Sequence, residues 1–184
     1  DKISGVTVIK LNEKMDEGDI IFKSEIAIDP DDTNITLTEK LSEVGAAALI
    51  EAMHLIEKGS AKPEKQDSAK ATYAPKMKKE DGLIDWNDSA IRIHGKVRGL
   101  LPWPGAYTYY DGKILKILKT ELVSVPAPGV ANGQVIDVLK ERGILVHTGN
   151  GELLIQYLQL EGKKPLDADS FVRGHRIARG YEFA

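Results

Sequence analysis

From Ala106 to Leu160 the chain takes on the two-residue period of β-strands, and this stretch does most to restrict the fold. AYTYY and KILKILKTELVSV are joined by Asp111-Gly112. That dipeptide suits the left-handed positions of a two-residue hairpin turn. After the loop VPAPGVANG, three more strands are expected at about 134–140, 143–148 and 152–160, linked by the short turns ERG and TGNGE. Five short strands in some 55 residues predict a small closed antiparallel barrel. Closure hides the strand edges and leaves the loops free for binding. Lys113, Lys116 and Lys119 recur every third residue, so they share one strand face only if a bulge intervenes.

Ile84 to Leu101 reads as a helical unit, with Asn87, Asp88 and Ser89 as N-cap candidates. Ile91, His94, Val97 and Leu101 are expected on one face, with Arg92, Lys96 and Arg98 elsewhere. The helix must stop at Pro102, and PWPG at 102–105 makes a rigid turn. Trp103 is expected to be a buried hinge between helix and sheet rather than a base-stacking platform. A short helix at about 167–174 precedes a basic tail with Arg173, His175, Arg176 and Arg179. Residues 60–82 are rich in Lys, Ala and polar side chains, with Pro63 and Pro75, and read as an extended linker. Lys76, Lys78 and Lys79 cluster there, either solvated or in contact with phosphate.

The first residues carry two β-type runs, Val6 to Ile9 and Ile20 to Ile28, around an acidic loop from Asn12 to Asp19. Gly18 within it permits a tight turn or the close approach of a ligand. A carboxylate on a loop held by two strands can act as a general base, or the loop can be a solvated hairpin turn. The residues alone leave both open. After DPDDTNIT, Thr36 and Glu39 match a capping box. Leu37, Leu41, Val44, Ala48, Ala52 and Leu55 then form one helical stripe, ending at Gly59, with His54 expected half-buried beside it.

The 184 residues suffice for one large or two small domains. Residues 1–75 hold 15 acidic and 9 basic side chains, a net of −6, whereas residues 76–184 hold 13 and 16, a net of +3. A change of sign suggests two units with different partners, and a nucleic acid for the second. With no cysteine and no histidine pair at ligand spacing, a zinc site is not expected at His147 or His175. No glycine-rich phosphate loop or serine elbow is present. No signal peptide is visible, and no apolar run reaches the roughly 18 residues that cross a bilayer.

Four stretches together resemble the methionyl-tRNA formyltransferases: GVTVIKLNEKMDEGDII at 5–21, TYAPKMKKEDGLIDW at 72–86, VRGLLPWPGAY at 97–107 and LQLEGKKPLDADSFVRGHR at 158–176. The resemblance implies an α/β part followed by an all-β part. Residues 1–74 would be the C-terminal part of a Rossmann-like formyltransferase domain, 75–87 a linker, and 88–184 an OB-fold-like, tRNA-binding barrel. It implies formyl transfer from 10-formyltetrahydrofolate, as cosubstrate, to the α-amine of initiator methionyl-tRNA. It places the family's catalytic aspartate on Asp16, with Asn12, Glu13, Lys14 and Met15 beside the pterin. Phosphate contacts are expected from Lys76, Lys78, Lys79, Lys113, Lys116, Lys163, Lys164, Arg173 and Arg176. No metal and no membrane are implied; the protein is expected to be a cytoplasmic monomer.

The asparagine and histidine that work with the aspartate in that family lie in an upstream motif absent from this sequence. The chain, starting at Asp1 almost directly in a strand, therefore reads as a piece of a longer one that does not catalyse alone. Two rivals remain. An amino-sugar-nucleotide formyltransferase shares the fold and aspartate, but EGKK at 161–164 and the basic linker suit tRNA better. A non-catalytic RNA-binding OB module predicts salt-dependent RNA binding without folate.

Overall fold

The acidic loop joins β1 (Ile3–Lys10) to β2 (Asp19–Ala27), which pair antiparallel from Ile3 opposite Ala27 to Lys10 opposite Asp19. The register shifts between Val8 and Ile9, just before the loop. The computed structural model describes residues 1–124 and 129–184, which fall into two units, Asp1–Lys76 and Met77–Ala184. The expected loop VPAPGVANG lies partly outside the described residues, at 125–128.

In the first unit, helix α1 (Asn34–Glu57) packs on β1 and β2. Its cap is Thr33, not Thr36. The Thr33 hydroxyl accepts the Thr36 N–H at 3.2 Å, and the Thr36 hydroxyl accepts the Thr33 N–H at 3.0 Å. Starting the helix earlier lets the Asp32 carboxylate take the Thr36 hydroxyl at 2.9 Å, the Asp29 N–H at 2.8 Å and the Lys40 ammonium. The Lys40 bond, then the Asp29 amide, holds the Asp32 carboxyl below its usual range. The expected stripe is the protected face: Ala48 and Ala52 are buried, and Leu37, Leu41, Val44 and Leu55 are half-buried. Lys58 caps the end, and Gly59 follows with φ of +64°. His54 is exposed rather than half-buried, because one position off the stripe already turns to solvent.

The expected linker is partly built in. Ile20 N–H donates to the Glu64 carbonyl at 2.8 Å and Glu64 N–H to the Ile20 carbonyl at 2.9 Å, so residues near Glu64 extend the edge of β2. Further on, Lys79–Gly82 forms a 3-10 turn in the second unit. Ile84 and Trp86 are buried, and the Trp86 Nε1–H donates to the Thr108 hydroxyl at 3.1 Å.

Helix α2 (Ala90–Gly99) begins after Ser89 and packs mainly on β4 (Lys113–Val123). It buries Ala90, Ile93 and Val97, whereas Ile91, expected on the apolar face, is 67% exposed. The sheet beneath selects Ile93 instead. His94 still turns inward, its Nδ1 2.9 Å from the Thr120 hydroxyl. The remaining strands are β3 (Tyr107–Tyr110), β5 (Val135–Leu139), β6 (Gly143–His147), β7 (Glu152–Leu160) and β8 (Leu166–Asp167). The antiparallel order is β3-β4-β7-β6-β5, with β8 on β7. Asp111 and Gly112 both have positive φ, +47° and +73°, as the hairpin between β3 and β4 requires. β4 slips its register between Ile117 and Thr120, so a bulge falls between Lys116 and Lys119 but none between Lys113 and Lys116, and the three lysines do not share one face.

Helix α3 (Ala168–Gly174) is capped by Asp167, which accepts the Ser170 N–H. The segment after it, expected as a basic tail, folds back: Ile177 and Phe183 are buried. Tyr181 carbonyl accepts from Val135 N–H at 2.7 Å, and Ala184 carbonyl accepts from Tyr109 N–H at 3.2 Å. The last residues thus hydrogen-bond both sheet edges, β5 and β3, and satisfy groups that an open edge would expose.

Candidate functional site

The loop from Leu11 to Gly18 is exposed apart from its last residue. Gly18 is there for space. A Cβ would lie 2.1 Å from the Lys10 carbonyl oxygen, so the close approach that the sequence suggested is to the chain itself. Inside the loop, the Asn12 carboxamide oxygen accepts the Lys14 N–H at 2.9 Å, and its Nδ2 donates to the Glu17 carbonyl at 3.2 Å. Lys14 pairs with Glu17 at 3.0 Å. This closes a small ring that leaves Met15 88% exposed. Asp16 is left-handed, with φ of +57°. Aspartate tolerates that region better than most residues, at a cost of about 1 kcal/mol or more. Such a conformation persists only where surroundings impose it.

What imposes it is a residue that sequence reasoning missed. The Gln66 carboxamide nitrogen donates to both the Asp16 and the Gly18 carbonyl oxygens, each at 2.7 Å. The Ile20–Glu64 pairing delivers Gln66 to that place. No local pattern marked Gln66, because its partners lie 48 and 50 residues earlier. The Asp16 carboxylate itself is left exposed to solvent. Asn12, Glu13, Lys14 and Met15, which precede it in sequence, are exposed as well.

The expected cationic residues do not form one cluster. Lys76 ends the first unit, and the others belong to the second. Lys78 precedes the 3-10 turn, its N–H donating to the Asp81 carboxylate. Arg173 is engaged with the Asp169 carboxylate and the Ser170 hydroxyl, which leaves it less free for phosphate. Lys79 and Lys116 line one concavity beside the PWPG turn. Trp103, in that turn, is 60% exposed rather than a buried hinge. Among the described residues no group of three or more His, Asp or Glu side chains could hold a metal ion, and no helix is long and apolar enough to cross a membrane.

A family model described as the C-terminal domain of formyl transferase matches residues 76–176, and one described as formyl transferase matches residues 1–53. The chain belongs to the formyl transferase family. Curated methionyl-tRNA formyltransferases are similar to this formyl transferase chain. That of Geobacter sulfurreducens is 41% identical over 177 residues, covering 96% of this chain and 55% of the relative. That of Halothermothrix orenii is 42% identical over 184 residues, covering 98% and 58%. The chain therefore spans little more than half the length of the curated relatives it matches.

Two solved structures share the formyl transferase fold. HypX from Aquifex aeolicus, in complex with tetrahydrofolic acid, has a TM-score of 0.68 at 22% identity, over 94% of this chain and 30% of that one. The methionyl-tRNA formyltransferase from Clostridium thermocellum has a TM-score of 0.50 at 21% identity, over 66% and 52%. Its elements here are mixed strands and helices with antiparallel sheets.

Proposed function

We propose that the chain acts within a methionyl-tRNA formyltransferase, moving a formyl group from 10-formyltetrahydrofolate to the α-amine of initiator methionyl-tRNA. The observation that carries this is the 40–44% identity to such enzymes over 96–98% of the chain. On this reading the first unit is the closing part of a Rossmann-like catalytic domain. The second is an OB-fold-like barrel that holds tRNA, with the boundary in the residues around Lys76. The single sheet order and the tail across both edges suit that barrel.

Asp16 takes the role of proton carrier. The α-ammonium gives up a proton to the carboxylate, directly or through water, and the freed amine attacks the formyl carbon. A carbon–nitrogen bond forms, and the carbonyl electrons move onto oxygen. When they return, the bond to the folate nitrogen breaks and that nitrogen takes up the proton that Asp16 held. The newly formylated nitrogen releases its second proton to the vacated carboxylate, from which it passes to water. The left-handed turn at Asp16, bonded by Gln66, leaves the carboxylate on an exposed loop, which supports this role.

Exchange of segments tests the reading. This chain replaces the matching segment of a curated relative, and formylation of methionyl-tRNA is measured. The hybrid should be active, and Asp16→Asn should lower its kcat/KM by roughly 10²–10⁴-fold, the range for loss of a positioned acid–base group. Full activity in the Asp16→Asn hybrid would refute the assignment. Transfer to a nucleotide amino sugar in place of methionyl-tRNA would select the rival substrate.

A further inference from the structure

Within Met77–Ala184, a concavity of about 290 Å³ opens between the PWPG turn, the start of β4 and the end of β7. Three features set it apart from a solvated surface dent. Its lining includes the Trp103 indole, 60% exposed, more than Tyr157 at 40% or Tyr109 at 36% in the same unit, where Trp86, Tyr107, Tyr110, Phe171 and Phe183 are buried. Its floor is apolar, made by Tyr107 at 6% exposure and Leu160 at 7%. Its rim carries Lys79 and Lys116, and neither forms an ion pair among the described residues. Glu161 also lines the concavity, its carboxylate facing the Ile114 N–H at 3.5 Å. The turn bearing Glu161 is tied down by Gln159, which donates to the Lys163 carbonyl at 2.8 Å.

We propose that this concavity binds one unpaired nucleotide, its base stacked on Trp103 and its phosphate held by Lys79 and Lys116. The chemistry selects this occupant. An open indole face takes any nucleobase, whatever the sequence. Two unpaired ammonium groups at one rim take a phosphate as point charges. The volume sits at the lower limit of small-molecule sites, about 300 Å³, which admits one nucleotide and excludes a duplex. The Glu161 carboxylate in the lining can accept from an exocyclic amine of the base. In an RNA ligand such a nucleotide must come from an unpaired end, loop or bulge, where bases can splay out. The proposal rests on the reading of the second unit as an RNA-binding barrel.

The test uses the chain itself, titrated at low salt with AMP, with a single-stranded RNA of about four nucleotides, and with a blunt RNA duplex. Tryptophan fluorescence reports stacking, and anisotropy of labelled RNA gives the affinity. The single strand should quench the emission and bind, and the duplex should not compete for it. Tighter binding of the oligonucleotide than of AMP assigns the site to RNA; equal binding assigns it to free nucleotides. Trp103→Ala should weaken binding roughly 5- to 150-fold, the loss of one stacked base, and Trp103→Phe should recover most of it. Lys116→Gln should lower the salt slope by about 0.7. Circular dichroism checks that each variant is folded. An affinity unchanged by Trp103→Ala overturns the site while leaving RNA recognition intact. Absence of any RNA binding overturns both, and the segment exchange judges formyl transfer separately.

Discussion

Gln66→Ala separates a designed loop clamp from a chance contact. Two hydrogen bonds are lost, from the Gln66 carboxamide nitrogen to the carbonyls of Asp16 and Gly18, both at 2.7 Å. Each is worth about 0.5–1.5 kcal/mol net, and Gln66 is exposed, so the lower half applies: about 1–2 kcal/mol together. That energy opposes local opening of the strip around Glu64 from the edge of β2. The amides of Ile20 and Glu64, each bonded to the other's carbonyl, report the opening. Their hydrogen exchange, resolved by NMR, should accelerate by roughly 5- to 30-fold while amides at the centre of α1 keep their rates. Gln66→Glu should accelerate it further, because a carboxylate would face two carbonyl oxygens without a donor. A change at Ile20 and Glu64 of less than about twofold would show that Gln66 does not hold the loop.

The first unit should also lose stability in acid. The Asp32 carboxyl is held below its ordinary value by Lys40, then by the Asp29 amide. Its contribution is therefore present above the unfolded value of about 3.9 and disappears as pH falls through the folded value. Lys40, raised by Asp29 and then Asp32, behaves oppositely and loses its share as pH climbs past its folded value. Urea midpoints followed by circular dichroism should fall between about pH 5 and about pH 2, and Asp32→Asn should flatten that slope; an unchanged slope refutes the pairing. In the second unit, Phe171 is 1% exposed, stacked on His175 at 3.9 Å and edge-on to Tyr110 at 5.8 Å. Phe171→Ala should cost about 3–5 kcal/mol by chemical denaturation, and a loss under about 1 kcal/mol would mean that α3 is not part of this core.

Features legible in the chain were those in which neighbouring residues carry the whole instruction. Asp111-Gly112 turns because both residues accept positive φ, whatever surrounds them. The α1 stripe from Leu37 to Leu55 is protected because a 3.6-residue period puts those side chains on one side of any helix they form. Asp16 was singled out by resemblance alone, and its left-handed backbone adds a physical reason to consider it. Where two local readings competed, contacts decided. Thr33 takes the cap in place of Thr36, and Asp32 bonds the Thr36 hydroxyl and the Lys40 ammonium beside it. Ile93 displaced Ile91 as the buried residue because the sheet lies on that side of α2.

The rest depended on partners far away in sequence. Gln66 lies in a stretch with the composition of a linker, and its role exists only because the edge of β2 receives Glu64. The C-terminal residues carry several positive charges, yet Ile177 and Phe183 bury themselves because two sheet edges need hydrogen-bond partners there. Trp103 follows the same logic in reverse. Between two prolines it looked like a hinge to be covered, but the core fills with Ile84, Trp86 and Phe183 instead, leaving the indole open beside Lys79 and Lys116. Periodicity and turn chemistry belong to adjacent residues and can be read along the chain. Which surfaces remain open is settled by the packing of everything else, and in this protein the proposed nucleotide pocket and the clamp on the Asp16 loop both arise that way.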